Sequence, residues 1–92
     1  MKRAIYEVYA KVVDANGSYN TLTNYPKVFD SKNYAGDIDK TEKRAYAEYY
    51  SVLGTMYARD DRQMQIAMII NANNGMQVAM ETVGQIADLP DA

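Results

Sequence analysis

Residues 64–86 read MQIAMIINANNGMQVAMETVGQI, and they contain two runs of alternating apolar residues around an Asn-Gly pair. Alternation with a period of two is typical of strands that bury one face, and Asn-Gly is a strong signal for a tight turn. We therefore predict a β-hairpin with strands over residues 64–70 and 76–86. Its methionines are expected to fill the core from one face of the hairpin: Met64, Met68, Met76 and Met80.

The length of the hairpin loop can be predicted from the residues that it brings together. A two-residue loop would place Met68 opposite Glu81. A three-residue Asn-Asn-Gly loop instead places Met68 opposite Met80, and Ile70 opposite Val78. Apolar pairs on one face stabilise a sheet, and a slip of one residue would turn them to the wrong side. The pattern favours the three-residue loop, with its glycine in the left-handed conformation.

Upstream of the hairpin, residues 39–58 carry apolar and aromatic side chains at helical spacing. Asp39 is followed three residues later by Glu42, which resembles a capping box at the start of this helix. Six side chains define the stripe that we expect to pack against the sheet: Tyr46, Tyr49, Tyr50, Leu53, Met56 and Tyr57. The helix is therefore predicted to be amphipathic, and its tyrosines are interpreted as core residues.

A further strand is predicted over residues 2–13, where alternation ends at the turn-forming residues 14–18. Five side chains share its predicted buried face: Ala4, Tyr6, Val8, Ala10 and Val12. The simplest arrangement is an α+β fold, in which this first strand and the C-terminal β-hairpin form a small antiparallel sheet with one main amphipathic helix packed on one face. The chain length fits a single domain, residues 1–92.

Residues 19–36 form an excursion between the first strand and the helix, rich in Asn, Thr, Ser, Tyr and Lys. We expect a long loop, in which a short strand or a helical turn can form, and Pro26 biases Tyr25 to an extended conformation. Long loops in small domains are commonly functional, and aromatic side chains among amides and lysines suit a protein or single-stranded nucleic-acid surface. The candidate partner-binding residues are Tyr19, Asn20, Asn24, Tyr25, Lys27, Asp30, Lys32, Asn33 and Tyr34, with Arg59 and Arg62 after the helix. The alternative is that the tyrosines fasten the excursion to the domain, and the sequence leaves both interpretations open.

The chain has no Cys, no His and no Trp. Thiolate and imidazole metal sites are thereby excluded, as are Ser-His and Cys-His nucleophile pairs. We predict no enzymatic activity, no metal, no cofactor and no small-molecule substrate. The carboxylate pair Asp37/Asp39 is expected to cap the helix. The pair Asp60/Asp61 is expected to lie in a solvated turn. The longest uncharged stretch, residues 63–80, contains amides that a bilayer core would reject, so no membrane span is expected.

Three stretches carry a resemblance that covers most of the chain: MKRAIYEVYAKVV (1–13), NTLTNYPKVFDSKNY (20–34) and DKTEKRAYAEYYSVLGTMYARDDRQMQIAMII (39–70). In these stretches the chain resembles phage-encoded anti-CRISPR proteins of the type I-F group. The resemblance implies a stoichiometric inhibitor that acts in the cytoplasm of the bacterial host. Such an inhibitor would bind subunits of the RNA-guided surveillance complex and block hybridisation of target DNA to the guide RNA. The group shares no binding motif, so the resemblance assigns no site residues.

The residues leave other functions open beside that one. A net charge of −2 argues against a general nucleic-acid coat, so direct contact with guide RNA would need a local patch. One alternative is a small RNA- or DNA-binding sheet module, which would bind naked nucleic acid with a marked salt dependence. Another is a structural or assembly protein of a phage, which would oligomerise through its surface.

Overall fold

The computed structural model describes residues 3–14, 16–58 and 64–84. Its elements follow the chain in this order: β1 (Ile5–Val13), β2 (Tyr19–Thr21), β3 (Lys27–Asp30), a 3-10 helix (Ser31–Tyr34), α1 (Ile38–Ala58), β4 (Gln65–Asn71) and β5 (Met76–Val83). The five strands form one antiparallel sheet, and α1 packs on one of its faces. The predicted α+β fold with one main helix is confirmed.

The first predicted strand, β1, lies in the middle of the sheet. On one side it pairs with β4, which in turn pairs with β5 at the edge. On its other side β2 pairs with residues 11–13 and β3 pairs with residues 5–8. The excursion therefore runs along β1 as an edge strand in two short pieces.

Residues 19–36 hold more regular structure than predicted, because two short strands and a 3-10 helix occupy a stretch that was expected to be a long loop with a short strand or a helical turn. In the turn between the strands, Asn24 has a φ of 74° and the Tyr25–Pro26 peptide bond is cis. Strands of three and four residues hold too few alternations to show a period of two, which is why the sequence pattern missed them. An edge broken in this way also offers fewer unpaired backbone groups in a row to another chain.

The helix begins one residue before its predicted start, and its cap is Asp37 and not Asp39. The Asp37 carboxylate accepts a hydrogen bond from the Lys40 amide at 3.0 Å, and its carbonyl accepts one from the Thr41 hydroxyl at 2.7 Å. This is the pattern of an N-cap residue bonded to the third helical position. The capping-box pairing of Asp39 with Glu42 predicted from the sequence is therefore wrong, and of the predicted capping pair Asp37/Asp39 it is Asp37 that caps the helix.

The buried stripe of α1 is narrower and less aromatic than predicted. Its members are Thr41, Ala45, Tyr49, Val52, Leu53 and Met56. Tyr50 and Tyr57 are each 63% exposed, so the interpretation of all four helix tyrosines as core residues is wrong for these two. The physical reason is the close approach of helix and sheet: Ala45 and Ala67 are fully buried where the two layers meet. Small residues at such a contact leave the large tyrosines on its flank.

The hairpin confirms part of the predicted register and corrects the rest. Met68 pairs with Met80 as predicted, and the loop glycine has a φ of 73°. Ile70, however, pairs with Gln77, because a β-bulge at Val78 adds one residue to β5. The loop therefore has four residues, 72–75, instead of three.

The hairpin methionines do not all lie in the core. Met64 is buried and Met68 is half-buried, but Met76 and Met80 are 63% and 51% exposed. The core interpretation is wrong for these two, because β5 is an edge strand and the bulge turns Met76 to the face opposite Met80. The predicted ends at residue 2 and residues 85–86 lie outside the described residues.

Candidate binding surfaces

The candidate residues of the excursion do not form one continuous surface. Tyr19 lies opposite Val13 at one end of β1, whereas Asp30 lies opposite Ile5 near the other. At about 3.3 Å per residue these positions are roughly 25 Å apart. The candidates therefore divide into an end near Tyr19, a central turn and an end near the 3-10 helix. Arg59 and Arg62 lie outside the described residues.

At the first end, Tyr19 is 58% exposed and Asn20 helps to build the preceding turn. The Asn20 side chain donates to Asp14 at 2.9 Å, and the same carboxylate accepts hydrogen bonds from the backbone amides of Ser18 and Asn16. These bonds, chiefly that from Ser18, lower the pKa of Asp14 because they stabilise its charged form. Asn20 therefore has a structural contact, while Tyr19 presents its ring to solvent.

The central turn and α1 enclose a groove of about 500 Å³, which we call the turn–helix groove. Its lining residues are Leu22, Thr23, Tyr25, Lys27, Glu48, Ser51, Val52 and Thr55. Inside it Lys27 forms an ion pair with Glu48, and its ammonium lies 5.2 Å from the centre of the Tyr25 ring. The hydrogen bond to Glu48 raises the pKa of Lys27, and burial followed by the charge of Glu48 raises the pKa of Tyr25.

The turn–helix groove combines an apolar floor with polar walls. Leu22 and Tyr25 pack against the main core, so the groove is anchored to the folded body. The hydroxyl of Thr55 donates to the Ser51 carbonyl at 3.2 Å, and both residues are exposed. Two of the predicted site residues, Tyr25 and Lys27, meet here. The sequence missed the helix side of the groove, because its polar residues fit an ordinary solvent-facing helix surface equally well.

At the far end of β1, Asp30 belongs to the fold. The Arg3 guanidinium donates from Nε to Asp30 at 3.0 Å and forms a second contact through its other nitrogen, and the Lys32 amide donates to the same carboxylate at 3.0 Å. The hydrogen bond from Arg3 is the main reason that the pKa of Asp30 is lowered to about 2. Asp30 is buried and caps the 3-10 helix, whereas Lys32 and Asn33 are exposed and Tyr34 is half-buried.

A third surface is the face of the sheet opposite α1, which we call the open face. Within the described part of the chain, no helix or strand packs on it. By strand alternation and pairing its members are Ile5, Glu7, Tyr9, Lys11 and Val13 of β1, Tyr19 and Thr21 of β2, Val28 and Asp30 of β3, Ile66, Met68 and Ile70 of β4, and Gln77, Val78, Met80 and Thr82 of β5. Val13 is 3% exposed and clusters with Met64 and Ile66 at one end.

The open face carries charge as well as apolar side chains. The Tyr9 hydroxyl lies 3.5 Å from the Glu7 carboxylate, and the Lys11 ammonium lies 5.5 Å from the centre of the Tyr9 ring. Burial, followed by the charge of Glu7, raises the pKa of Tyr9. The sequence did not predict this surface, although Ile5 and Val13 fall on the side of β1 that was expected to be polar.

The flank of α1 from which the Tyr57 hydroxyl donates to Glu81 of β5 holds a cluster of tyrosines. The ring centres of Tyr49 and Tyr50 are 5.3 Å apart, and Tyr46 lies 6.2 Å from Tyr49 and 6.0 Å from Tyr50. A groove of about 400 Å³ beside these rings is lined by Asp39, Glu42, Lys43, Tyr46 and Tyr50. This flank is another aromatic surface that the sequence had assigned to the core.

Comparison with known proteins identifies no relative. No family model matches the chain, and no match was found among curated proteins or solved structures. In the described ranges no three or more Asp and Glu side chains come together as a metal site would require. The helix of the described part is not apolar enough to cross a bilayer.

Proposed function

We propose that this chain is a stoichiometric inhibitor of the type I-F RNA-guided surveillance complex. It would dock on subunits of that complex in the cytoplasm of the bacterial host and prevent target DNA from pairing with the guide RNA. The resemblance of three stretches to type I-F anti-CRISPR proteins suggests the partner. The turn–helix groove is the structural observation that supports a docking role.

The turn–helix groove has the properties of a preformed protein-binding site. Its aromatic side chain, Tyr25, is held against the core, and the ion pair of Lys27 with Glu48 fixes two long side chains across the opening. Side chains that are already ordered lose little entropy when a partner binds. The exposed Ser51 and Thr55 add hydroxyls that can bond a partner's backbone or polar side chains.

The same ion pair favours a protein partner over a phosphate inside this groove. Glu48 neutralises Lys27, and a phosphate would have to displace or repel that carboxylate. Lys32 is exposed in the 3-10 helix, and in the described part of the chain its charge acts on Asp30 without forming an ion pair, so it is the better place for contact with guide RNA. The proposed interface therefore contacts a protein subunit through the groove and extends toward RNA at Lys32.

Filling the groove tests this function directly. Ser51→Arg adds a long side chain at an exposed helix position that lines the groove, and Ala72→Arg adds the same side chain in the exposed hairpin loop. Each variant would be mixed with purified type I-F surveillance complex, and binding of target DNA would be measured by fluorescence anisotropy. We expect Ser51→Arg to weaken inhibition at least tenfold and Ala72→Arg to inhibit like the unmodified chain.

Two results would contradict the proposal at different levels. If Ser51→Arg inhibits as well as the unmodified chain, the groove is not the interface. If the unmodified chain neither binds the complex nor blocks target DNA, the inhibitor function itself is wrong. Circular dichroism of both variants controls for folding.

A nucleic-acid-binding sheet is the second candidate, because Tyr9 and Lys11 lie together on the open face. Aromatic and basic side chains on a sheet are suited to stacking bases and holding phosphates. Glu7 beside Tyr9 counts against this function, since its carboxylate would repel the phosphates of a nucleic acid. Binding of naked single-stranded RNA in a gel-shift experiment, with affinity that falls steeply as salt rises, would favour this candidate over the inhibitor.

A further inference from the structure

We propose that the open face is the interface of a homodimer, in which two copies of this chain pack sheet against sheet about a two-fold axis. This inference concerns a different surface from the turn–helix groove and does not depend on the proposed inhibitor function. It rests on the order of side chains in the three central rows of β1, β4 and β5 on the open face, which is the same in both directions along these strands except that the charges exchange.

The central row of the open face consists of Tyr9, Met68 and Met80, which are direct cross-strand neighbours. The next row on one side contains Lys11, Ile66 and Thr82, and the next row on the other side contains Glu7, Ile70 and Gln77. Each flanking row thus reads charge, isoleucine, polar. The outer positions of β1, Val13 and Ile5, are both apolar, but Val13 is buried against Met64 and Ile66 whereas Ile5 is half-buried.

A two-fold axis along the central row brings these rows into contact in a complementary way. The axis lies between the two sheets and runs perpendicular to the strands. Rotation about it places each strand over its own copy in the opposite direction, so Lys11 of one copy faces Glu7 of the other. By the same rotation Ile66, which is 8% exposed, lies over the half-buried Ile70, and the two polar side chains of β5 face each other. Closed two-fold interfaces require this kind of self-complementary surface.

Charge complementarity also decides the occupant of the open face. A copy of the same chain supplies both a carboxylate for Lys11 and an ammonium for Glu7, at the spacing at which each is needed. A nucleic acid would satisfy Lys11 and be repelled by Glu7. The central methionines suit a face that is covered in the dimer and wet in the monomer, because methionine adapts to either surrounding.

The edge strand β5 is a less suitable contact than the face. The bulge at Val78 interrupts the regular spacing of its backbone groups, and a bulge of this kind discourages pairing of edges. The face, by contrast, is about 20 Å across four strands and about 25 Å along them, or on the order of 500 Å² per copy. A total near 1,000 Å² lies at the low end for specific interfaces, which predicts a reversible dimer of micromolar affinity.

Charge exchange is the sharpest test of this geometry. Lys11→Glu and Glu7→Lys each put like charges opposite one another at two symmetric places, so each should weaken association about tenfold or more in sedimentation equilibrium. The double variant Glu7→Lys with Lys11→Glu restores opposite charges across the axis, and its affinity should return to within about threefold of the unmodified chain. Circular dichroism at low concentration confirms that each variant is folded.

Three outcomes would overturn the proposal. The unmodified chain could remain a monomer up to about 1 mM, far above the predicted dissociation constant. The single variants could associate as well as the unmodified chain. The double variant could be as weak as the singles, which would show that the two residues do not face each other. If the monomer instead binds single-stranded RNA and Lys11→Glu abolishes that binding, the open face belongs to nucleic acid.

Discussion

The two faces of the sheet share their strands but differ in their side chains. The covered face, which packs on α1, holds four residues with 0% exposure: Val8, Ala10, Ala67 and Ile69. The open face holds two isoleucines among methionine, tyrosine, polar side chains and one charge of each sign in its central rows. Small and branched side chains allow a helix to approach closely, whereas flexible and charged ones tolerate water. We infer from this difference that the covered face stabilises the fold and the open face is available for binding.

Truncation of two adjacent isoleucines, one on each face, is expected to give the largest difference in stability. Ile69 is fully buried against α1, and Ile70 is half-buried on the open face. Ile69→Ala should lower the free energy of unfolding by about 3 kcal/mol, because it leaves a cavity in the core. Ile70→Ala should lower it by about 1 kcal/mol or less, because water can fill the space. Urea denaturation at low protein concentration measures both, and equal losses would contradict the division between the faces.

Removing the N-terminal cap of the helix that packs on the covered face is expected to give an intermediate loss of stability. Asp37→Ala removes the N-cap hydrogen bond to Lys40, so it should cost about 1 kcal/mol of stability. Asp39→Ala is the matched control, since its side chain makes no cap contact in the described part of the chain, and its effect should be within about 0.5 kcal/mol. Thermal denaturation of both variants shows whether Asp37 or Asp39 caps the helix. A larger loss for Asp39→Ala would restore the capping box that the sequence predicted.

The smallest effect concerns the rim of the sheet, where Arg3 holds Asp30. The pKa of Asp30 is lowered from 3.8 to about 2 in the folded chain, so its contribution to stability is fully present above about pH 4. That contribution is lost as pH falls through the folded pKa, because the protonated carboxyl no longer pairs with Arg3. Asp30→Asn should therefore show a flatter loss of stability between about pH 4 and pH 2 than the unmodified chain. Parallel curves from acid titrations followed by circular dichroism would contradict this assignment.

The hairpin and helix could be predicted because their patterns are long. The pairing of Met68 with Met80 follows from apolar alternation alone, and the helix was located to within one residue at its start. The bulge at Val78 could not be predicted, since one inserted residue leaves the local composition unchanged. Its effect is nonetheless large, because it moves Met76 to the other face of the sheet.

The candidate site was harder to predict than the fold. The excursion contains Tyr25 and Lys27 of the turn–helix groove, but the groove also needs Glu48 and other polar residues of α1. Only tertiary packing brings these together, since Lys27 and Glu48 are far apart in the chain. Asp30 shows the opposite error: a polar residue of the excursion proves to be a buried cap. Residue type alone does not distinguish the two cases.

The division between the faces is tested most directly by measuring stability and association on the same two variants. Ile69→Ala changes the covered face, and Met80→Glu puts a charge in the exposed central row of the open face. The account predicts that Ile69→Ala lowers the free energy of unfolding and that the folded chain still dimerises. It predicts that Met80→Glu abolishes dimerisation and leaves monomer stability within about 0.5 kcal/mol of the unmodified chain. A Met80→Glu variant that is unfolded, or folded and still dimeric, would contradict the account.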